Sequence, residues 1–211
     1  MDAKDASELI SEIREERAEA EHDEKFRSRA ALMIAFMAML LAIGSLGGGN
    51  VAEDMIHNNI KASDTWAFFQ AKNVRQTQYK LAVDQLTARL ADPSLGTAER
   101  SALETQVAKY KETIARYDDE PDRAAPQDTL RGEGKKQLAA QARSYERLRE
   151  RASAQDANFD FSEVAFQLAL VLGSVAILAI SRPVLGIAIG LGVLGTLLMI
   201  NGFVLLFPLP F

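Results

Sequence analysis

Apolar residues fall into three long runs in this chain, and nearly all charged residues lie before or between these runs. The runs cover residues 30–47, 161–180 and 184–207, and the only formal charge inside them is Glu163. A helix rises about 1.5 Å per residue and the hydrocarbon core of a bilayer is about 30 Å thick, so a span takes about 20 apolar residues. The pattern therefore predicts three transmembrane helices, since a soluble domain of this length does not enclose the two longer runs.

The first run has a second interpretation, a cleaved signal peptide with small residues at 45–47 as the cleavage site. Signal peptides begin with a short basic segment. Residues 1–29 instead carry ten acidic and six basic side chains. This acidic excess favours an uncleaved anchor, preceded by a charged N-terminal helix over residues 1–29.

The second and third runs are separated only by residues 181–183, which predicts a tight helical hairpin with Pro183 in the first turn of the last helix. Basic residues lie at the start of the first run and in the hairpin: Lys25, Arg27, Arg29 and Arg182. Because Lys and Arg accumulate on the cytoplasmic side, we expect the N-terminus and the hairpin in the cytoplasm. Arginines at 147–151, just before the second run, weaken this signal.

Small residues form aligned rows within the apolar runs. The third run contains Gly186 and Gly190, and a second row with Gly192 and Gly195. The first run has one row of four alanines, Ala31, Ala35, Ala38 and Ala42. Such rows let helix backbones approach closely in lipid, either within one chain or between subunits.

The segment 50–160 is predicted to be an extramembrane α-helical domain. Apolar and aromatic residues repeat at heptad spacing on two successive stretches: Phe69, Gln76, Tyr79, Val83, Leu86 and Leu90, then Leu103, Val107, Tyr110, Ile114 and Tyr117. A dense turn signal at 92–96 separates them, so we expect an antiparallel coiled-coil hairpin. A third helix over 135–157 presents Leu138, Ala142, Tyr145, Leu148 and Ala152, and acidic and amide residues at 156–160 suggest a short break before the second span.

Few residues of the chain are candidates for a catalytic or ligand-binding site. The chain has no cysteine and two histidines, His22 and His57, neither of which lies in a hydrolase or metalloprotease motif. The acidic loop at 118–134 offers carboxylate oxygens of the kind that bind calcium. Because the loop lacks the spacing of an EF-hand, we interpret it as a solvated loop. The three glycines at 47–49 are not followed by a P-loop lysine, and we interpret them as a hinge or helix end.

Nucleic-acid binding has no support in the charge pattern either, because residues 50–160 carry 17 basic and 18 acidic side chains. We therefore expect no enzyme activity, no cofactor and no metal.

The stretch 64–76, which contains the sequence WAFFQAK, resembles a bacterial membrane-protein family catalogued as domain of unknown function 4337. The resemblance extends over residues from about 25 to 207 and includes the NFDF stretch at 158–161 and Arg182. It implies a short membrane helix, an aromatic helix and two closing spans, in the inner membrane of a bacterium. It implies no activity, substrate or site.

The predicted fold is thus an all-α membrane protein with three transmembrane helices and a helical domain between the first and second. We expect a self-associating scaffold or interaction protein whose partners are the lipid bilayer and either further copies or another membrane protein. Trp66, Phe68 and Phe69 cannot share one helix face, so at least one of these rings should contact a neighbouring helix, a partner or lipid. The alternative is a homo-oligomeric channel or an accessory subunit of a membrane transport complex. In a channel, the glycine-rich third helix or the first helix would line the pore and Asn201 would form a polar ring.

Overall fold

The computed structural model describes the backbone of residues 3–209 and the side chains of residues 13–209. This part of the chain contains four helices: α1 (Ala3–Leu90), α2 (Thr97–Asp118), α3 (Lys135–Ala179) and α4 (Arg182–Val204). The helices α1, α3 and α4 are long and apolar enough to cross a membrane by length and composition. The predicted all-helical class is confirmed, and the one extended pairing in this part is an isolated bridge between Pro121 and Gly132.

The turns lie where proline, glycine and polar residues predicted them. After α1 ends at Leu90, Arg100 of α2 donates from its guanidinium to the Leu90 carbonyl oxygen at 2.9 Å, which closes the turn. Between α3 and α4, Ile180 has a left-handed conformation with φ of 50°. The Ser181 N–H then bonds back to the Ala176 carbonyl at 3.0 Å, so the chain reverses within two residues.

The chain divides into two compact units. One contains Met1–Glu53 and Ala152–Phe211, and is called the apolar unit here. The other contains Asp54–Arg151, and is called the polar unit. Both boundaries fall within continuous helices, α1 and α3.

The core of the apolar unit is built around the Phe159 ring. A methyl group placed on Gly47 would lie 2.8 Å from this ring, and one placed on Gly202 would lie 2.9 Å from it. Phe203 meets the ring edge-on with the centroids 4.9 Å apart. The ring therefore occupies a seat that only glycines on α1 and α4 leave open, and we call this the Phe159 seat.

Two interpretations from the sequence are wrong at this place. The glycines at 47–49 are not a hinge or a helix end, because α1 continues through them. Contact with the Phe159 ring stabilises a helix that three successive glycines disfavour by intrinsic propensity. The expected break at 156–160 is also absent from the described part, since α3 runs through it and the amide of Asn158 donates to the Ala154 carbonyl at 2.8 Å.

In the polar unit, the end of α1 contacts α2 through aromatic residues. Tyr79 packs edge-on against Tyr110 and Tyr117, at centroid distances of 5.1 and 5.9 Å. The residues expected on the α1 and α2 seams are buried or partly buried, Val107 and Gln76 among them. Leu148, which was predicted to share one face of α3 with Leu138 and Ala142, is exposed, whereas those two residues are buried.

Candidate functional site

The three aromatic residues of the WAFFQAK stretch have different environments within the polar unit. Trp66 donates its indole N–H to a carboxylate oxygen of Glu146 at 2.8 Å. Phe69 meets the Trp66 ring edge-on at 5.4 Å. Phe68 is 51% exposed, which agrees with the geometric argument that the three rings cannot share a face. Phe68 is therefore the ring of this set that has surface available for a partner.

The lysine of the same stretch, Lys72, joins α1 to the loop before α3. The residue is 7% exposed, and its ammonium donates to Glu120 at 3.2 Å and to the Glu133 carbonyl oxygen. The ammonium also lies 5.6 Å from the centroid of the Tyr117 ring. A buried cation with this many partners fixes the loop against the helices.

A second buried polar residue, Gln76 of α1, bonds to both other helical segments of this unit. Its amide nitrogen donates to the Ile114 carbonyl of α2 at 2.9 Å, and its amide oxygen accepts from Lys135 of α3 at 2.7 Å. Sequence periodicity predicted an inward-facing position for Gln76, which is 2% exposed, but gave no indication of these partners.

The acidic loop is held by its own neighbours. Asp119 accepts hydrogen bonds from Lys136 at 2.9 Å and from Gln137 at 2.7 Å. Both bonds lower the pKa of the Asp119 carboxyl, and the bond from Lys136 has the larger effect. The same contact raises the pKa of Lys136. Within residues 13–209, no group of three or more histidine and acidic side chains is arranged to hold a metal ion.

The small-residue rows of α4 lie in two different environments. Side chains of the same unit fill the space beside Gly192 and Gly195, where added methyl groups would lie 2.6 Å from Met37 and 3.2 Å from Phe166. Beside Gly186 and Gly190, by contrast, an added methyl group would meet no atom of the described chain within 4 Å. The GxxxG row therefore faces outward, and we call it the open glycine face.

Asn201 does not occupy the position that a pore-lining ring requires. It is 2% exposed, and its amide nitrogen donates to the Asn158 side-chain oxygen at 2.7 Å and to the Phe207 carbonyl at 2.8 Å. Its amide oxygen accepts from the Leu206 N–H at 3.0 Å. The residue thus closes the C-terminal turn after α4, and both ends of its amide are used inside the chain.

A feature that the sequence interpretation did not identify is a cleft of about 550 Å³ between α1 and the start of α4, called the basic cleft here. It is lined by His22, Lys25, Phe26, Arg29, Ala30, Met33, Arg182 and Leu185. The α1 members share one face, because they are spaced three or four residues apart. This spacing is visible in the sequence, but the position of Arg182 beside these residues is not.

A second unrecognised feature is an apolar stripe on the part of α1 that belongs to the polar unit. Ile60, Ala67, Val74 and Leu81 are seven residues apart, and all four are exposed. A seven-residue repeat keeps these residues on one side of a helix. Each stripe residue is two positions, or about 200° around the helix, from a seam residue, so the stripe lies on the side of α1 opposite the seam that packs on α2.

The helices and these surfaces define an all-helical chain with three helices apolar enough to cross a membrane. The model of the family described as Domain of unknown function (DUF4337) matches residues 26–205, so the chain belongs to this family. The resemblance noted around Trp66 is thereby confirmed. No match to a curated protein or to a solved structure was found.

Proposed function

We propose that this chain is a membrane-anchored helical scaffold that self-associates through α4 and has no catalytic activity of its own. The apolar parts of α1, α3 and α4 cross the bilayer in this account, and the polar unit forms a coiled-coil domain beside it. The lipid bilayer and a second copy of the chain are its partners.

The exposed apolar surface supports membrane insertion. In the most apolar stretch of each of the three helices, only 22–33% of the residues are buried inside the chain. Large side chains such as Leu178, which is 82% exposed, project outward along these helices. Contiguous apolar surface of this extent is unfavourable in water and is covered by lipid or by protein.

The main support for self-association is the open glycine face. Glycine in a helix interior costs about 1 kcal/mol relative to alanine, so a glycine row needs a compensating contact. Gly192 and Gly195 have that contact within the chain, whereas Gly186 and Gly190 have none among the described residues. The close approach of another helix supplies it, because lipid-embedded helices associate by packing small residues.

A second copy of the chain is the occupant that we propose. When two identical faces meet across a twofold axis, the contact closes at two copies and leaves no face unpaired. The exposed heptad stripe at Ile60, Val74 and Leu81 gives the polar unit a surface of the same kind, suited to pairing with its own copy. The four-alanine row of the first run is also exposed.

The lack of cysteine makes disulfide scanning in native membranes a direct test. Single cysteines replace Val193 or Leu197 on the open glycine face, and Ala188 or Met199 on the packed face of the same helix. After mild oxidation, we expect disulfide dimers at 193 and 197 and none at 188 and 199. A cysteine at Val171, which is exposed on α3, measures random collision.

Dimers at 193 and 197 that do not exceed the Val171 level would contradict the proposal. The same scan at Val74 and at Lys80, which is exposed on a different face of α1, tests the stripe, with a yield expected only at Val74. The two surfaces are scored separately, so one can fail while the other stands.

The proposed location is the inner membrane of a bacterium, with the N-terminus in the cytoplasm and the polar unit in the periplasm. The basic residues around 25–29 and Arg182 support this orientation. A cysteine at the exposed position Glu112 should react with a membrane-impermeant maleimide in intact cells whose outer membrane is permeabilised. Reaction only after lysis would reverse the orientation.

The channel alternative has less support. Its predicted polar ring residue, Asn201, is bonded inside the chain, and after Arg182 in the first turn no described polar side chain of α4 is exposed. We therefore do not propose it as the function.

A further inference from the structure

Two cations of the basic cleft have no carboxylate partner. Lys25 is paired with Glu21 at 2.6 Å. Within residues 13–209, by contrast, the guanidinium of Arg29 forms no ion pair or hydrogen bond, and the guanidinium of Arg182 contacts only the His22 ring, at 3.3 Å. Guanidinium groups on the walls of one cleft favour an anion with several oxygens, which each can bind through two N–H groups.

The start of α4 adds to this preference. Ser181 is the N-cap residue, and its side chain makes no capping bond to the described part of the chain. The first turn has no acidic residue, and Pro183 contributes no N–H. The remaining free N–H groups and the helix dipole therefore place additional partial positive charge beside Arg182.

The apolar side of the cleft continues along α1. Met33 belongs to the basic cleft and also to a second cleft of about 400 Å³, which it lines with Leu32, Phe36 and Met37. This second cleft has an almost entirely apolar wall. A basic end followed by an apolar end, one helical turn further along, matches an amphiphile with an anionic head.

We propose that the basic cleft binds an anionic phospholipid, with its phosphate between Arg29 and Arg182 and one acyl chain along Met33 and Phe36. The inference rests on the proposed membrane anchoring, because Arg29 immediately precedes the first apolar run and Arg182 begins the last helix. Both residues would then lie at the level of the headgroups.

The charge count selects the class of lipid. A zwitterionic headgroup brings its own cation into a cleft that already holds two unpaired ones, whereas phosphatidylglycerol and cardiolipin bring only phosphate and hydroxyl groups. A free phosphate ion would use the arginines but leave the cleft at Met33 and Phe36 unfilled. Anionic lipid is therefore favoured over both.

Native mass spectrometry of the full-length protein tests this proposal. The protein is released from detergent in the presence of phosphatidylglycerol, cardiolipin or phosphatidylcholine, and retained lipid is counted. We expect binding of the anionic lipids to exceed that of phosphatidylcholine by on the order of tenfold or more. The double variant Arg29→Gln/Arg182→Gln should lose most of this preference.

The matched control is Arg17→Gln/Arg27→Gln, which removes the same charge from exposed positions of α1 outside the cleft. Only variants with the helicity and elution volume of the wild type are compared. Equal retention of anionic and zwitterionic lipid by the wild type would overturn the proposal without reference to any variant. An equal loss in both double variants, or full displacement of lipid by millimolar inorganic phosphate, would also overturn it.

Extraction with alkaline carbonate distinguishes a failure of the proposed membrane anchoring from a failure of the lipid site alone. If carbonate releases the protein from membranes, the anchoring and the lipid site both fail. If the protein stays in the membrane but shows no lipid preference, only the lipid site fails. The disulfide scan of α4 is independent of both results.

Discussion

The Phe159 seat allows a comparison between two glycines of the same helix, Gly47 and Gly49. A methyl group on Gly47 would lie 2.8 Å from the Phe159 ring and 2.8 Å from the Phe203 ring. Favourable carbon contacts lie at about 3.5–4.0 Å, so a ring would have to move by roughly 1 Å. Phe159 has little room to do so, because Gly202 lies against its other edge. A methyl group on Gly49 would meet no described atom within 4 Å.

The expected magnitudes follow from two opposing effects. Gly→Ala in a helix interior stabilises by about 1 kcal/mol through propensity, and this gain is the same at both positions. Overpacking a filled core costs about 1–3 kcal/mol and applies only at Gly47. We therefore expect Gly49→Ala to stabilise the apolar unit, and Gly47→Ala to be less stable than Gly49→Ala by about 1–3 kcal/mol.

Thiol protection on heating measures this difference. The wild type has no cysteine, so Ala165→Cys, at a buried position of the apolar unit, reports unfolding by reaction with a fluorogenic maleimide. All variants carry this reporter in the same detergent. Equal shifts of the unfolding midpoint for Gly47→Ala and Gly49→Ala would refute the Phe159 seat. As a check, Phe159→Leu should reduce the difference between them.

Three further predictions concern polar residues. Burial, and then Asp160, raise the pKa of the Asp156 carboxyl; its contribution to stability is full below the unfolded pKa of about 3.9 and is lost as pH rises through the folded value. Asp156→Asn should therefore raise the unfolding temperature at pH 7, with the gain vanishing below about pH 4, and a gain that does not change with pH would count against the sign. Lys72→Met should destabilise the polar unit by about 1–3 kcal/mol, because a buried carbonyl loses its charged donor; guanidinium unfolding followed by the single tryptophan measures this, and an unchanged midpoint would be evidence against the role of Lys72. Asn201→Ala should destabilise the apolar unit by about 1–3 kcal/mol, as measured by the thiol-protection assay. An unchanged stability would indicate that water satisfies the three partners of Asn201.

Residue patterns along the chain predicted most of the helices, because helix boundaries depend on local signals. The turn at 92–96, the start of α2 at Thr97 and the start of α3 at Lys135 all follow proline and glycine clusters. Tertiary contacts overrode the local signal at 47–49, where intrinsic propensity indicated a break and the Phe159 ring maintained the helix. Nothing in the local sequence around Gly47 indicates a ring that is more than one hundred residues further along the chain.

The candidate surfaces were predicted less completely, for a related reason. A GxxxG row indicates close packing but does not say which row packs inside the chain, and only the structure separates Gly192 from Gly190. Asn201 has the appearance of a pore residue in a hydropathy plot, because its partner Asn158 is 43 residues away. The basic cleft requires the start of α4 to lie beside α1, which periodicity alone does not specify.

Counting copies in a bilayer tests self-association through α4 most directly. A single dye is attached to a cysteine at the exposed residue Ser101, and photobleaching steps are counted in vesicles at low protein density. The wild type and Val171→Leu, a substitution at an exposed α3 position, should bleach in two steps, and Gly190→Leu should bleach in one. One-step bleaching of the wild type, or two-step bleaching that Gly190→Leu leaves unchanged, would contradict the proposed scaffold.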